Sequence, residues 1–306
     1  MTTLGMSVVV PVFNEEGALR EFYSRLRLVI SVMKVTSEIL FINDGSSDSS
    51  AVILEELRRA DPQVRVLSFT RNFGHQVAVK AGLDHAQGDT VVIIDADLQD
   101  PPELIPALWA KWREGYEVVY VLRVQREGES FFKKFTAALY YNFLQKIATV
   151  DIPRNTGDFR LISRQVADVL KNIHEKNPYL RGLVAWTGFK SVGVPVKRQP
   201  RFAGKTSYTL KKMIHLAWSG ITHFSFFPLQ LAGMFGLLSL AAAVAFLLRI
   251  ILGLSASRNF LDTDLILFSI FFLGGIQLLC AGILGGYLGC NYDQTRSRPL
   301  YILKKE

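Results

Sequence analysis

The feature that most constrains the fold is a unit repeated through the first hundred residues. Apolar, β-branched runs at residues 6–12, 38–43, 64–69 and 90–94 each end in polar residues. Apolar residues at helical spacing follow, most clearly at residues 18–32. Strands that alternate with helices predict a parallel sheet with right-handed crossovers. The fold class is therefore predicted as α/β, with a Rossmann-like, mostly parallel sheet.

Acidic side chains follow these predicted strands. Glu15 comes after the first strand, Asp44 after the second, and Asp95 with Asp97 after the strand at residues 90–94. The carboxyl ends of parallel strands meet at one edge of a sheet, where open α/β folds bind ligands. We therefore expect these carboxylates to share one edge, in an arrangement suited to a nucleotide.

The densest acidic motif is Asp-Ala-Asp-Leu-Gln-Asp-Pro-Pro at residues 95–102. Two carboxylates and an amide oxygen at alternate positions are hard oxygen ligands, which suit Mg²⁺ or Mn²⁺ carrying a diphosphate. The predicted metal ligands are Asp95, Asp97 and Gln99. A solvated acidic loop after a strand is the alternative interpretation.

Other common nucleotide and metal motifs are absent from the sequence. It contains neither a Gly-x-Gly-x-x-Gly loop nor a P-loop, which argues against a dinucleotide oxidoreductase and a P-loop enzyme. The histidines lack metal-ligand spacing, and His75 is interpreted as a loop or helix-start residue rather than a base.

Short motifs at the strand ends occur in a characteristic order. They are Pro-Val-Phe-Asn-Glu at residues 11–15, Asn-Asp-Gly-Ser at 43–46 followed by Asp48, Arg-Asn-Phe-Gly at 71–74, and Asp-x-Asp-Leu-Gln-Asp-Pro at 95–101. In these motifs the chain resembles the inverting family 2 glycosyltransferases, whose catalytic domain has the GT-A fold. It is most similar to the polyisoprenyl-phosphate branch, which includes dolichol-phosphate mannose synthases and bacterial undecaprenyl-phosphate glucosyltransferases.

The resemblance covers nearly the whole chain, including Asn-Thr-Gly-Asp-Phe-Arg-Leu at residues 155–161. It departs at Gly-Gly-Tyr-Leu-Gly-Cys, residues 285–290, where bacterial relatives often carry a Gly-Glu-Tyr-x-Gly-Arg pattern. Two expected charges are missing there, so no role is carried over to that segment.

The resemblance implies a nucleotide-sugar donor, a polyprenyl phosphate acceptor and Mg²⁺ or Mn²⁺ as cofactor. Asp158 is the candidate base or orienting residue, with a structural Asp158–Arg160 pair as the alternative. The residues predicted to bind the nucleotide sugar are Pro11, Asn14, Glu15, Asp44 and Asp95.

Cations are needed to hold the lipid phosphate, and arginine suits this because its guanidinium is a planar fork of donors. Arg123 and Arg201 are the preferred candidates and join Asp97 and Asp158 in the predicted catalytic set. Arg126, Lys205 and Ser207 are weaker candidates; for Arg126 and Lys205 a solvated surface position is an equal alternative.

The composition changes abruptly near residue 219. Residues 213–248 contain only two ionisable side chains, both histidines, and residues 265–292 contain no Asp, Glu, Lys or Arg. Each stretch exceeds the roughly 20 apolar residues that cross a bilayer. Two transmembrane helices are predicted, at about 227–252 and 265–287. A buried hairpin in a large soluble domain is the alternative.

Residues 207–225 show an amphipathic pattern and are predicted to form an interfacial helix, with an ordinary surface helix as the alternative. The predicted organisation is a GT-A domain at 1–206, this helix at 207–225, and a membrane domain with a cytoplasmic tail at 226–306. Glycine-rich spans suit close helix packing and association into a homo-oligomer.

Basic residues flank the predicted spans, before the first and after the second. The positive-inside bias therefore predicts a protein of the bacterial cytoplasmic membrane, with both termini and the catalytic domain in the cytoplasm. No signal peptide is recognised ahead of the first strand. The net charge of +8 is interpreted as attraction to anionic lipid and phosphate-bearing substrates rather than to nucleic acid.

The leading functional hypothesis is transfer of one sugar, with inversion, to undecaprenyl or a similar polyprenyl phosphate for modification of a cell-envelope glycan. Glucose from UDP-glucose is preferred because the membrane half resembles the glucosyltransferases, and GDP-mannose or a modified arabinose donor would use the same motifs. A processive polysaccharide synthase is disfavoured because no Gln-x-x-Arg-Trp motif occurs. The alternative from another class is a non-catalytic subunit of a lipid-sugar transporter.

Overall fold

The computed structural model describes residues 4–125, 156–176, 178–197, 229, 232–239, 241, 261–296 and 298–304. They divide between two compact units. The first unit contains the described residues up to 197 together with residues 298–304, and the second contains the apolar helical residues between them.

Among the described residues of the first unit, seven strands form a single sheet. The strands are β1 (Met6–Val12), β2 (Ser37–Asn43), β3 (Val64–Ser68), β4 (Thr90–Ile93), β5 (Val118–Gln125), β6 (Thr156–Ser163) and β7 (Ser191–Lys197). Their order across the sheet is β3-β2-β1-β4-β6-β5-β7. Strand β6 is antiparallel to both neighbours and the other pairs are parallel, so the predicted mostly parallel sheet is confirmed.

Helices cover the sheet. They are α1 (Leu19–Met33), α2 (Ser50–Ala60), α3 (His75–His85), α4 (Ile105–Arg113), α5 (Arg164–Lys171) and α6 (Leu180–Trp186), with a 3₁₀ turn at Pro102–Leu104 before α4. Strands β1 and β2 are buried along their whole length, as expected for central parallel strands covered on both faces. Helix α1 buries one stripe at helical spacing, which includes Phe22 and Leu26.

The strand order determines which loops meet. Strand β1 lies between β2 and β4, so the loops that carry Glu15, Asp44 and Asp95 emerge side by side. The antiparallel β6 pairs with β4 in a register that sets Arg160 opposite Ile93. Asp158, near the start of β6, therefore reaches the edge where the parallel strands end.

The second unit contains the helix Leu261–Thr295, which includes the predicted span 265–287. Its stretch Phe272–Thr295, 24 residues long, is long and apolar enough to cross a membrane, with a mean hydropathy of 1.5 over an 18-residue window. Residues 232–239 of the other predicted span are helical. Much of that span and all of the predicted interfacial helix at 207–225 lie outside the described residues, so the two-span topology stays a prediction.

Residues 298–304 follow the apolar helix in the chain and pack on the α/β unit. Leu303 forms an antiparallel bridge with Phe69, directly after β3. The Thr70 N–H donates to the Ile302 carbonyl at 3.0 Å, and the Lys304 N–H donates to the Ser68 carbonyl at 2.8 Å. This short segment thus extends the sheet at its β3 edge.

Candidate active site

Hydrogen bonds tie the loops after β1 and β2 together. Asn14 has a left-handed backbone with φ of 56°, which asparagine tolerates better than most residues. Its side-chain oxygen accepts from the Ser47 N–H at 2.8 Å, and its own N–H donates to the Ser46 hydroxyl at 3.1 Å. The Glu15 N–H donates to the Ser50 hydroxyl at 3.0 Å. The predicted donor-site residues of the first loop are therefore held against the second.

Asp44 is buried at the end of β2 and binds the loop that follows β3. Its carboxylate accepts from the Phe73 N–H at 2.6 Å, the Gly74 N–H at 3.0 Å and the Asn72 amide at 3.0 Å. Burial raises the pKa of Asp44, while the two backbone N–H groups oppose that rise. Asp44 therefore organises the 70–74 loop, and its contact with a nucleotide stays a prediction.

Gly45 allows these two loops to approach. Its φ is +68°, and a Cβ at this position would lie 2.5 Å from the Arg71 carbonyl carbon. Alanine there would meet both backbone strain and a clash with backbone, whereas glycine meets neither.

We expect Gly45→Ala to lower the free energy of unfolding by more than about 2 kcal/mol, since a strained left-handed residue alone costs about 1–3 kcal/mol. Gly115→Ala is the matched control, because its φ is +91° but its Cβ would have no neighbour within 4 Å. Urea unfolding of both variants separates strain from clash. Equal losses in the two variants would show that the close approach to Arg71 is unimportant.

Asp95 and Asp97 lie in the turn after β4. Asp97 is 8% exposed, and its Oδ1 accepts from the Gln99 N–H at 3.1 Å. Asp95 Oδ1 is buried and has no hydrogen-bond partner within the described part of the chain. Burial raises the pKa of Asp95, as do the nearby carboxylates, while His75 opposes the rise. This burial disfavours the interpretation of residues 95–102 as a solvated acidic loop.

The acids of this turn suit a hard divalent cation. Across the described residues, no group of three or more His, Cys, Asp or Glu side chains is arranged to hold a metal alone. Mg²⁺ usually binds one or two carboxylates and takes its remaining ligands from substrate phosphates and water. The buried Asp95 Oδ1, which accepts no hydrogen bond from the described residues, and the nearby Asp97 carboxylate fit that pattern. Gln99 as a further ligand stays a prediction.

Asp158 is the centre of a charged cluster beside this turn. Arg181 donates to both of its oxygens, from Nε at 2.8 Å and from Nη2 at 3.1 Å. His75 Nε2 lies 3.2 Å from Asp158 Oδ2. Burial would raise the pKa of Asp158, but Arg181 and His75 outweigh it and hold the pKa well below the usual range of an aspartate. Asp158 is therefore an ionised side chain with fixed partners.

Arg160 contacts the same cluster mainly through backbone. Its guanidinium donates to the Gly157 carbonyl at 3.0 Å and the Asp158 carbonyl at 3.2 Å, and Nη2 lies 3.7 Å from the Asp158 carboxylate. The predicted structural pair thus exists as a longer contact. Arg181 is the closer partner of Asp158.

His75 connects the two acidic centres. Its Nε2 lies 3.6 Å from Asp95 Oδ1 as well as 3.2 Å from Asp158. Burial lowers the pKa of His75, but the carboxylates of Asp95 and Asp158 raise it to about 9. His75 is the first residue of α3, so its prediction as a helix-start residue is confirmed.

Two residues of this cluster, His75 and Arg181, are absent from the predicted site. The sequence contains a signal for His75, since it follows the Arg-Asn-Phe-Gly motif at a strand end on the same edge as Asp44. Arg181 lies in α6, outside any strand-end motif. Arg181 is identified as part of the cluster only by its hydrogen bonds to Asp158.

The predicted lipid-phosphate residues are largely outside the described residues. The Arg123 backbone lies near the end of β5, paired with Val196 of β7. Arg126, Arg201, Lys205 and Ser207 fall in the ranges that the structure does not describe. The roles of these five residues stay predictions.

Comparison with known proteins identifies the family. Residues 7–170 match the family described as "Glycosyl transferase family 2". The chain is 49% identical over 302 residues to "Uncharacterized glycosyltransferase YkcC" of Bacillus subtilis (strain 168), covering 98% of this chain and 93% of that relative. It is 43% identical over 307 residues to "Prophage bactoprenol glucosyl transferase homolog" of Escherichia coli (strain K12), covering 98% of each.

Similarity to solved structures is more distant. Glucosyl-3-phosphoglycerate synthase from Mycobacterium tuberculosis, in complex with Mn²⁺, UDP-glucose and phosphoglyceric acid, matches with a TM-score of 0.49 and 21% identity, over 71% of this chain and 77% of that chain. By the family match over residues 7–170 and by its relatives of nearly equal length, the chain belongs to glycosyl transferase family 2.

Proposed function

We propose that this protein transfers glucose from UDP-glucose to undecaprenyl phosphate, with inversion, in a reaction that requires Mg²⁺ or Mn²⁺. The observation that carries the proposal is the buried Asp95 Oδ1, which accepts no hydrogen bond from the described residues and lies 3.6 Å from His75, within an acidic group at the carboxyl edge of the sheet. A carboxylate in that setting is stabilised by a cation, and a nucleotide sugar brings both a diphosphate and its metal to such an edge.

On the donor side, Asp95 and Asp97 would hold the metal. When bound, the metal supplies Lewis-acid neutralisation of the charge that develops on the departing nucleoside diphosphate. The loops after β1 and β2 would position the nucleoside, because Asn14 joins them and Asp44 holds the 70–74 loop against the end of β2.

On the acceptor side, a lipid phosphate oxygen is already anionic near neutral pH, so it attacks the anomeric carbon without a strong base. This agrees with Asp158, whose depressed pKa makes it a weak proton acceptor. We assign Asp158 the orienting role: its carboxylate fixes the Arg181 guanidinium and the His75 ring beside the reaction centre. Those cations would keep the acceptor phosphate near the donor.

The acceptor is proposed from two independent supports. One is the name of the Escherichia coli relative, a bactoprenol glucosyl transferase homolog that aligns over nearly the full chain. The other is the apolar stretch Phe272–Thr295, which meets the length and composition needed to cross a bilayer. We propose an integral protein of the cytoplasmic membrane, with the sheet on the cytoplasmic side where nucleotide sugars are made.

The test is transfer of radiolabelled sugar to undecaprenyl phosphate by the full-length protein in detergent micelles. With Mn²⁺ or Mg²⁺, UDP-glucose is expected to exceed GDP-mannose and UDP-N-acetylglucosamine in kcat/KM by about tenfold or more. NMR of the product should show the β-anomer. A preference for another donor would refute the assignment of glucose, and the absence of lipid-linked product with every donor would refute the reaction.

A further inference from the structure

The C-terminal segment, defined here as residues 298–304, is joined to the α/β unit by side chains as well as backbone. The Tyr301 ring stacks on the fully buried Phe69 ring, with centroids 5.2 Å apart and planes at 19°. The Tyr301 hydroxyl donates to the Asp84 carboxylate at 3.2 Å. Burial and the Asp84 charge raise the pKa of Tyr301, so its hydroxyl stays protonated and able to donate at neutral pH.

Asp84 belongs to a partly buried network at the C-terminal end of α3. It pairs with Lys80, which is 4% exposed and also donates to the Lys171 carbonyl at 2.9 Å. The acceptor of the Tyr301 hydroxyl is therefore fixed, because Lys80 binds the Asp84 carboxylate and is itself bound to the Lys171 carbonyl.

The same helix and its preceding loop form part of the candidate active site. Phe69, under the Tyr301 ring, meets Phe73 edge-on with centroids 5.5 Å apart. The Phe73 N–H is the donor that lies 2.6 Å from the Asp44 carboxylate. Helix α3 begins at His75, which contacts Asp95 and Asp158. Tyr301 thus contacts the base of the 70–74 loop through Phe69, and the far end of α3 through Asp84.

We propose that Tyr301 is a positioning residue for the nucleotide-sugar site. By fastening both ends of the 69–85 stretch, the C-terminal segment keeps the 70–74 loop in the geometry that supports Asp44 and the β2 loop. Preorganisation of this kind lowers the ordering cost of binding, so its loss reduces donor affinity. The inference rests on the proposed function, since it takes the ligand of this edge to be a nucleotide sugar.

The experiment compares variants of the full-length protein. Tyr301→Ala removes the ring stack and the hydrogen bond, whereas Tyr301→Phe keeps the ring. Lys304→Pro removes the N–H that donates to Ser68, and Lys304→Ala is its matched control because it keeps that backbone donor. Binding of UDP with Mn²⁺ is measured by calorimetry, and KM is measured separately for UDP-glucose and undecaprenyl phosphate.

Tyr301→Ala and Lys304→Pro are expected to weaken UDP binding and raise the KM for UDP-glucose about tenfold, with the KM for lipid phosphate changed less than about twofold. Tyr301→Phe should weaken UDP binding about threefold. Lys304→Ala should bind UDP as tightly as the wild type does. Circular dichroism and thermal melts identify any variant that fails to fold. If Tyr301→Ala fails to fold, Tyr301→Phe and the comparison of Lys304→Pro with Lys304→Ala test the positioning role.

Unchanged UDP affinity in the folded variants would overturn the positioning role, as would equal increases in both KM values. A wild-type protein that binds no UDP would instead refute the proposed function, and the inference with it. The two failures are therefore distinguished by the wild-type measurement alone.

Discussion

Asp97→Asn is expected to lower kcat/KM by about a thousandfold, because it removes one of the two proposed anionic ligands of the metal. Asparagine keeps the oxygen that accepts from the Gln99 N–H, so the turn after β4 should persist. The measurement is steady-state transfer of glucose to undecaprenyl phosphate across a Mn²⁺ titration, with chelator added to establish the metal-free baseline.

The same experiment contains its control. Thermal stability of Asp97→Asn in chelator should equal that of the wild type, which would assign the lost turnover to metal binding rather than to unfolding. In the wild type, chelator should abolish transfer and added Mg²⁺ or Mn²⁺ should restore it. Full activity of the wild type in a metal-free preparation would refute the metal assignment.

Asp158→Asn is expected to lower kcat about a hundredfold, because the carboxylate that fixes Arg181 and His75 is lost. Arg181→Ala should lower kcat about thirtyfold and cost about 1–3 kcal/mol of stability, since it leaves a largely buried carboxylate with fewer donors. The double variant should be little worse than Asp158→Asn alone, since residues that act as one unit are non-additive.

Arg20→Ala is the matched control for the loss of an arginine. Arg20 pairs with Glu56 on the exposed surface, where side-chain exposures are 61% and 52%, and exposed pairs contribute little to stability. Its kcat should equal that of the wild type. If kcat of the double variant instead fell by the product of the two single reductions, Asp158 and Arg181 would act independently. The orienting role of Asp158 would then be wrong.

The strand-end part of the site is readable from sequence because it depends on short-range patterns. A buried parallel strand has an apolar run and a polar stop, so Asp44, Asp95 and Asp97 could be located without coordinates. The edge they share also follows from the sequence, since parallel strands end together.

The contacts made by side chains far apart in the chain are not readable in this way. His75 and Asp158 are 83 positions apart, and Tyr301 and Asp84 are 217 positions apart. Arg181 reaches Asp158 because α6 lies near the start of β6. No local sequence pattern predicts this tertiary contact. The sequence likewise contains no feature that predicts the return of residues 298–304 to the β3 edge.

The antiparallel strand β6 has a consequence for how this enzyme can vary. The register that pairs Arg160 with Ile93 places Asp158 beside the turn after β4, independently of the length of the segment that connects β5 to β6. Changes in the length of that segment are therefore compatible with an unchanged position of Asp158 relative to Asp95 and Asp97. A slip of β6 by a single residue would instead turn Asp158 to the opposite face of the sheet. The position of Asp158 relative to Asp95 and Asp97 is thus set by strand pairing.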